Sequence, residues 1–359
     1  MRLGILSEEN DRRVAVVPTA VNKLNELFDA VLVETGAGMG AGFTDAAYTE
    51  AGAQVVDRGA LLAGSDVVVS IHPPSGDALA QMKEGAFAMA MFAPFAHPEV
   101  VDVLRKHKVR AFSFDMIPRT TLAQSMDILS AMASIAGYKA VIHAADLLPR
   151  YFPMMITAAG SVKPAKVLVL GAGVAGLQAI ATARRLGAVV EAFDVRKAAK
   201  EEVLSLGAKF VEVEGAKDDA SAGGYAVEQT EDFLRRQRAE VQKRAANADV
   251  VITTAQVRGR KAPVLVTAET VRKMKRGSVI VDLAASTGGN TELTEDGKTI
   301  ETENGVLIVG NSNLPDTMPQ DASTLISNNI VNFLKYVVRD GAVRLDADDE
   351  IISSAYITP

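Results

Sequence analysis

Short aliphatic and β-branched runs recur along the chain, bounded by glycine, proline or charged residues, and apolar positions at helical spacing fill the intervals. In the first third the expected strands are RLGIL (2–6), AVLVET (30–35), QVVD (54–57), DVVVSI (66–71), AFAMAMF (86–92) and RAFSF (110–114). TAVNKLNELF and PEVVDVLRKH are helical segments between them. A second series follows: KVLVLG (166–171), VVEAFD (189–194), KFVEV (209–213), DVVITTA (249–255), SVIVDLA (278–284) and VLIVG (306–310). Such apolar strands, alternating with helices, belong in parallel sheets covered on both faces.

Two series of six strands predict an α/β chain of two Rossmann-like, doubly wound parallel-sheet domains with a cleft between them. The expected boundaries are 1–125 with 315–359 for the first domain, 126–150 for a connecting helix, and 151–314 for the second domain. The connector belongs to a helical run from Thr121 to Leu148, stopped by Pro149. The last helix, TLISNNIVNFLKYVV (324–338), is expected to return to the first domain. Early in the connector run, Gln124, Asp127 and Ser130 recur every third residue, a polar stripe beside apolar Ile128, Leu129, Met132 and Ile135. Arg119 stands just ahead of it. Some of the stripe has a local reading, since Thr121-x-x-Gln124 is a capping-box pattern and Asp127 near a helix start suits the macrodipole. The segment EGAKDDASAGGYAVEQ (214–229) is a long connection of small and polar residues.

Composition narrows the function classes. The 359 residues are 48% hydrophobic and 23% charged, as in a globular enzyme, with a net charge of -6. That balance, with no Lys/Arg block that resembles a nucleic-acid footprint, argues against a nucleic-acid partner; RKHKVR (105–110) reads as a solvated helix end. There is no cysteine, which excludes disulfides, thiolate zinc sites and cysteine nucleophiles. The four histidines, His72, His97, His107 and His143, have no metal-ligand spacing, so no metal is expected. The opening MRLGILSEENDRR lacks the apolar core of a signal peptide, and AFAMAMFAPFA (86–96) is too short to span a bilayer, so no direct membrane insertion is expected.

The strongest local signal is VLVLGAGVAGLQAIATARRLGAVVEAFDVR. A strand runs into Gly171-x-Gly173-x-x-Gly176, Val174 opens an alanine-rich helix, and a second strand ends at Asp194. Gly171 permits the tight turn, Gly173 lets a pyrophosphate approach the backbone, and Gly176 lets helix and strand pack closely. The helix start supplies free N–H groups and positive dipole. Asp194 stands where a carboxylate accepts both adenosine-ribose hydroxyls and repels a 2′-phosphate, which favours NAD over NADP. Arg196, two residues on, tempers that preference. VLVETGAGMGAG contains a second pattern, Gly36-x-Gly38-x-x-Ala41, but only about ten residues separate it from the next strand. It reads as a glycine-rich turn in a sheet without cofactor.

From RLGILSEENDRRVAVVP through GAGVAGLQAIATARRLGA to MKRGSVIVDLAASTGGN, the chain resembles the alanine dehydrogenase and nicotinamide nucleotide transhydrogenase family. Alanine dehydrogenases hold an amino acid with an arginine and a lysine and use a histidine and an aspartate for the chemistry. Arg13 matches the arginine, but His72 stands for the lysine, Pro94 for the histidine and Ser286 for the aspartate. Hydride transfer coupled to imine formation needs a positioned acid or base, so the departures point to the other branch. There the resemblance implies the NAD(H)-binding component of a proton-translocating transhydrogenase, with hydride passing from NADH to NADP⁺ held on a partner. Arg13 then reads as structural, holding a carboxylate or a helix end.

The resemblance also implies site residues. RTTLAQSMD matches the loop that positions nicotinamide and ribose, which points to Arg119, Gln124, Ser125, Asp127 and Ser130, with Arg119, Gln124, Asp127 and Ser130 in the catalytic role. DVR, from Asp194 through Val195 to Arg196, matches the adenosine-ribose segment. GGYA, with Gly224 and Tyr225, matches the family's mobile loop, and Gln237 lies in the stretch after it. In TTAQVRG, Thr254 and Ala255 are cofactor neighbours, while Gln256 departs from the family's wording. Implied partners are a second copy in a homodimer and separate membrane-spanning and NADP(H)-binding subunits, which would place the chain on the cytoplasmic face as a peripheral subunit of the inner membrane. Two alternatives stay open: an amino-acid dehydrogenase with a relocated acid/base, and a non-catalytic NAD-binding regulatory module. Met154 and Met155 read as packing.

Overall fold

The computed structural model describes residues 1–196, 198–213, 231–256 and 259–358. The chain divides into two compact units, Met1–Met132 with Pro315–Pro359, and Ala133–Leu314. Gly224 and Tyr225 lie outside the described residues.

In the first unit, β1 (Arg2–Ile5), β2 (Ala30–Glu34), β3 (Gln54–Val56), β4 (Val67–Val69), β5 (Phe87–Ala90) and β6 (Arg110–Ser113) form one sheet in the order β3-β2-β1-β4-β5-β6. All neighbouring pairs are parallel. Val67, Val68 and Val69 are fully buried, as a strand covered on both faces must be. The short helices after the strands open on Thr44, Asp57 and Ser75, whose side-chain oxygens accept from the N–H three residues on. The helix Pro319–Val337 belongs to this unit: the Ser323 and Ser327 hydroxyls accept from the N–H groups of Val14 and Val17 at 2.9 and 3.2 Å. Its Phe333 ring meets Phe112 and Phe114 edge-on. At the β6 edge the chain end takes up the otherwise open backbone groups, Ile357 N donating to Ala111 O at 3.0 Å and Ala111 N to Thr358 Oγ1 at 2.7 Å.

The second unit opens with a hairpin of β7 (Met155–Thr157) and β8 (Gly160–Val162). Its main sheet holds β9 (Lys166–Leu170), β10 (Val189–Phe193), β11 (Lys209–Phe210), β12 (Val250–Thr253), β13 (Val279–Asp282), β14 (Lys298–Glu301) and β15 (Leu307–Gly310), in the order β11-β10-β9-β12-β13-β15-β14. Alternation along β9 divides the core: Val167 and Val169 face one apolar cluster with Ala140, Val141, Ala144, Ala179 and Ile180, and Leu168 and Leu170 face another with Val241, Ala245, Val251 and Ile280.

Three expectations change. β14, in GKTIE, runs antiparallel to β15 and lengthens the sheet beyond six strands. Met154 is 58% exposed ahead of the β7–β8 hairpin, so it is no packing residue. The long helix starts at Ile128 and ends at Leu147, because Gln124–Met126 forms a 3-10 turn and Asp127 is extended, with φ -79° and ψ 91°. Gln124 therefore lies outside the helix and the stripe is no helix face. This helix, and not 86–96, is the one described segment long and apolar enough to cross a membrane by length and composition. Its Ala140, Val141 and Ala144 are fully buried in the core of the second unit, and a Cβ at Gly137 would collide with the backbone of Ala175.

Candidate functional site

In the second sheet the chain runs outward from β9 through β10 to β11 and then returns to β12 on the other side of β9. Between β9 and β12 the winding reverses, and the loops leaving their carboxyl ends must diverge; a crevice at that point is where doubly wound sheets take ligands. The two loops there are Gly171–Gly176 and Thr254–Gln256.

Gly171 has φ +101°, the left-handed region that lets the strand turn at once into a helix. A Cβ on Gly171 would strike Thr254 Oγ1, and one on Gly176 would strike the Gly171 carbonyl oxygen. A Cβ on Gly173 would meet nothing within 4 Å. The first and third glycines are thus consumed by internal packing and the middle one faces open space, beside the helix Val174–Arg185 that begins there. The open space beside the helix start, whose first N–H groups have no described partner, could hold an anion such as a pyrophosphate. Val174 and Val195 are 45% and 60% exposed at its rim.

Asp194 follows β10 and its side chain is 7% exposed. Its carboxylate accepts from Ala172 N at 2.7 Å, from Arg196 N at 2.8 Å, and from the Arg196 guanidinium at 3.0 and 3.1 Å. The pairing holds the guanidinium more firmly charged than usual, hydrogen bonding to Asp194 being the leading cause. Thr254 Oγ1 lies 3.2 Å from the Gly171 carbonyl, to which it donates. Gln256 turns its amide to the Leu283 carbonyl at 2.9 Å. Gln237 sits half-buried on the helix Glu231–Asn247, and no described bond ties it to the glycine turn.

Sequence reading missed what fixes the Thr254–Ala255 loop. Asn290 is fully buried; its amide oxygen accepts from Ala255 N at 3.0 Å, and its amide nitrogen donates to the carbonyls of Ala255 and Pro263, each at 2.8 Å. Asp282, also fully buried, holds the following loop by accepting from Ala284 N, Asn290 N, Thr291 N and Thr294 Oγ1. Four donors replace the hydration such a carboxylate loses. Both residues lie in VDLAASTGGN, but nothing in that string separates a buried clamp from a ligand contact.

The decoy Gly36–Ala41 has a different fate. A Cβ on Gly38 would collide with Phe43 and Tyr48, and one on Gly40 with Arg12. Only a six-residue helix, Asp45–Glu50, follows.

The winding of the first sheet reverses between β1 and β4. The crevice position there is filled by the chain's own charges. Arg13 is 4% exposed and grips Asp11 through Nε at 2.9 Å and Nη2 at 2.5 Å. His72 Nε2 lies 2.8 Å from the same carboxylate, and Glu8 accepts from the N–H groups of Ile71 and His72. Burial pushes the Glu8 carboxyl up, hydrogen bonds from Arg13 and His72 carry Asp11 far below the usual carboxylate range against its own burial, and the bond to Asp11 raises the His72 imidazole. Arg13 holds a carboxylate belonging to the chain itself.

In the same unit Arg119 and Gln124 are exposed, and no described side chain bonds either one. Gln124 is therefore not spent on a capping box. Asp127 and Ser130 pair with each other: Asp127 accepts from Ser130 N at 2.9 Å and from Ser130 Oγ at 2.6 Å, capping the helix that starts at Ile128. Ser125 is exposed, and its carbonyl receives the amide groups of Asn329 and Asn332 at 2.9 and 3.0 Å, which anchors the turn on Pro319–Val337.

Comparison with known proteins agrees with this geometry. Residues 4–136 match the alanine dehydrogenase/PNT N-terminal domain, and residues 140–359 match the alanine dehydrogenase/PNT C-terminal domain. An NAD(P) transhydrogenase subunit alpha polypeptide of Rhodospirillum rubrum is 47% identical over 370 residues, covering 100% of this chain and 96% of that one. A transhydrogenase from Sinorhizobium meliloti superposes with a TM-score of 0.91 at 43% identity, covering 100% of this chain and 98% of that one. An L-alanine dehydrogenase structure gives 0.81 at 27% identity, covering 99% and 94%. With both domains matched and the higher likeness on the transhydrogenase side, the chain belongs to the alanine dehydrogenase/PNT family.

Proposed function

We propose that this chain is the NAD(H)-binding subunit of a proton-translocating transhydrogenase. It presents NADH for direct transfer of a hydride to NADP⁺ on a partner subunit, giving NAD⁺ and NADPH. The open Gly173 cradle receives the pyrophosphate and Asp194 the adenosine ribose, with Val174, Val195, Thr254 and Ala255 as neighbours. Arg119, Gln124, Asp127 and Ser130 orient the nicotinamide end, and Gly224, Tyr225 and Gln237 belong to the same assignment through the family resemblance. Proton movement is the work of other subunits. The chain acts as a homodimer, peripheral to the membrane through those partners.

One observation carries the choice between the two branches. Arg13, which would have to receive a substrate carboxylate, is held by Asp11 in a buried pair. Pro94 and Ser286 meanwhile offer no proton-transfer group where the amino-acid branch has its histidine and aspartate. Hydride exchange between two nicotinamides moves no substrate proton, so it needs neither.

The test mixes the protein with an isolated transhydrogenase NADP(H)-binding domain and follows hydride transfer from NADH to an NADP⁺ analogue of distinct absorbance. NADH bound without any transfer would make the chain a regulatory module. Oxidation of NADH by pyruvate and ammonia, with no second nucleotide present, would make it an amino-acid dehydrogenase.

A further inference from the structure

Asp194 is assigned the two hydroxyl groups of the adenosine ribose, yet it has no acceptor position left to offer them. An ionised carboxylate presents about four lone-pair sites. Two are filled by backbone donors, Ala172 N at 2.7 Å and Arg196 N at 2.8 Å, which belong to the turns on either side. The other two are filled by Arg196 Nε at 3.0 Å and Nη2 at 3.1 Å. The guanidinium reaches further, Nη2 lying 3.2 Å from the Ala172 carbonyl, so it spans the first peptide of the glycine turn.

The two kinds of donor differ in what their removal demands. The amides cannot leave without remaking the turn. The guanidinium sits on a flexible stem that is 41% exposed and can rotate into water. We infer that Arg196 is a built-in occupant of the adenosine-ribose position, and that the ribose hydroxyls of NADH bind by displacing its guanidinium from Asp194. The inference rests on the NAD(H) reading of the site.

The device has a use and a cost. With no nucleotide bound it keeps a nearly buried carboxylate fully partnered, which an acid in that position requires. Every binding event must then exchange two charge-assisted N–H bonds for two hydroxyl bonds, so affinity for NADH is held below what Asp194 alone would give. The released cation also stands close to any 2′-phosphate, which blunts discrimination against NADPH.

The experiment titrates NADH and NADPH fluorescence against the full chain, its Arg196→Met and Asp194→Asn variants, and the double variant. Thermal unfolding verifies that each is folded. Ionic strength near 0.15 M screens the general attraction of a cation for the dinucleotide. Arg196→Met is expected to bind NADH roughly two- to fivefold more tightly, the upper range of a half-exposed ion pair. NADPH should gain nothing, and the NADH gain should vanish in the Asp194→Asn background. If Arg196→Met binds NADH no more tightly than wild type, the inference is overturned, while weakening by Asp194→Asn leaves the site itself standing. If wild type fails to bind NADH, or Asp194→Asn leaves its affinity unchanged, the NAD(H) reading falls and the inference with it.

Discussion

Replacing Asn290 by alanine tests whether one buried amide holds the Thr254–Ala255 loop in place. The side chain makes three hydrogen bonds, to Ala255 N, Ala255 O and Pro263 O, and is wholly shielded from water. A hydrogen bond of this kind contributes about 1 kcal/mol net, and a buried group left without a partner costs about 1–3 kcal/mol. Three lost bonds, partly healed by water entering the vacated space, put the cost at about 3–4 kcal/mol. That is a large fraction of the roughly 5–15 kcal/mol that holds a domain together. Local opening should be more evident than global unfolding, because both ends of the 255–263 segment lose an anchor. Amide exchange followed by mass spectrometry should show the Ala255 N–H losing on the order of a hundredfold protection, since each 1.4 kcal/mol is tenfold. NADH affinity should fall with it, because Thr254 and Ala255 would no longer be held against Gly171. Protection at Ala255 unchanged within threefold, or a denaturant midpoint equal to wild type, would refute the idea that Asn290 is the clamp.

Three further outcomes are expected. Gly176→Ala, whose Cβ would strike the Gly171 carbonyl, should lower NADH affinity at least tenfold in fluorescence titration; binding equal to wild type would count against the turn as the pyrophosphate cradle. Gln124→Asn should leave NADH affinity within about twofold and slow hydride transfer to the NADP⁺ analogue, because the exposed amide has no bond to lose among the described residues; an unchanged transfer rate would remove it from the redox end. His72 gains its partner on folding and its pKa is raised by Asp11, so its contribution is present below the ordinary value near 6.5 and is lost as pH rises through the raised value. Wild type should therefore lose more stability than His72→Gln between about pH 6 and pH 9, by under about 1 kcal/mol because the imidazole is half-exposed and screened. Parallel pH profiles for the two proteins would contradict the His72–Asp11 pairing.

Strands and glycine turn were legible because parallel strands buried on both faces must be apolar throughout, and because Gly171 and Gly176 admit no side chain whatever the rest of the sequence says. GKTIE escaped notice for the opposite reason: as an antiparallel edge strand it pairs on one side only, so Lys298 and Glu301 are tolerated. The helix start was misplaced because Thr121 and Asp127 both carry cap-forming oxygens. The structure uses the later one, after a turn whose Ser125 carbonyl is anchored by Asn329 and Asn332, more than 200 residues away in sequence. The same limit hid the state of Asp194. Its position after β10 carries the expectation of a ribose acceptor, but that Arg196 already fills two of its acceptor sites depends on a rotamer that no residue pattern encodes.

The helix Pro319–Val337 has a consequence for biosynthesis. The amides of Val14 and Val17 find their acceptors in Ser323 and Ser327, 309 and 310 positions later. The second unit, continuous from Ala133 to Leu314, leaves the ribosome before those serines do. On the ribosome it is free to fold first, while the strands of the first unit wait with one flank exposed for their closing helix. A nascent chain arrested where Leu314 has just cleared the ribosome, with Ser323 and Ser327 still inside it, should hold a finished second unit and an unfinished first sheet, and this is the stage at which chaperone capture or mispairing would concentrate.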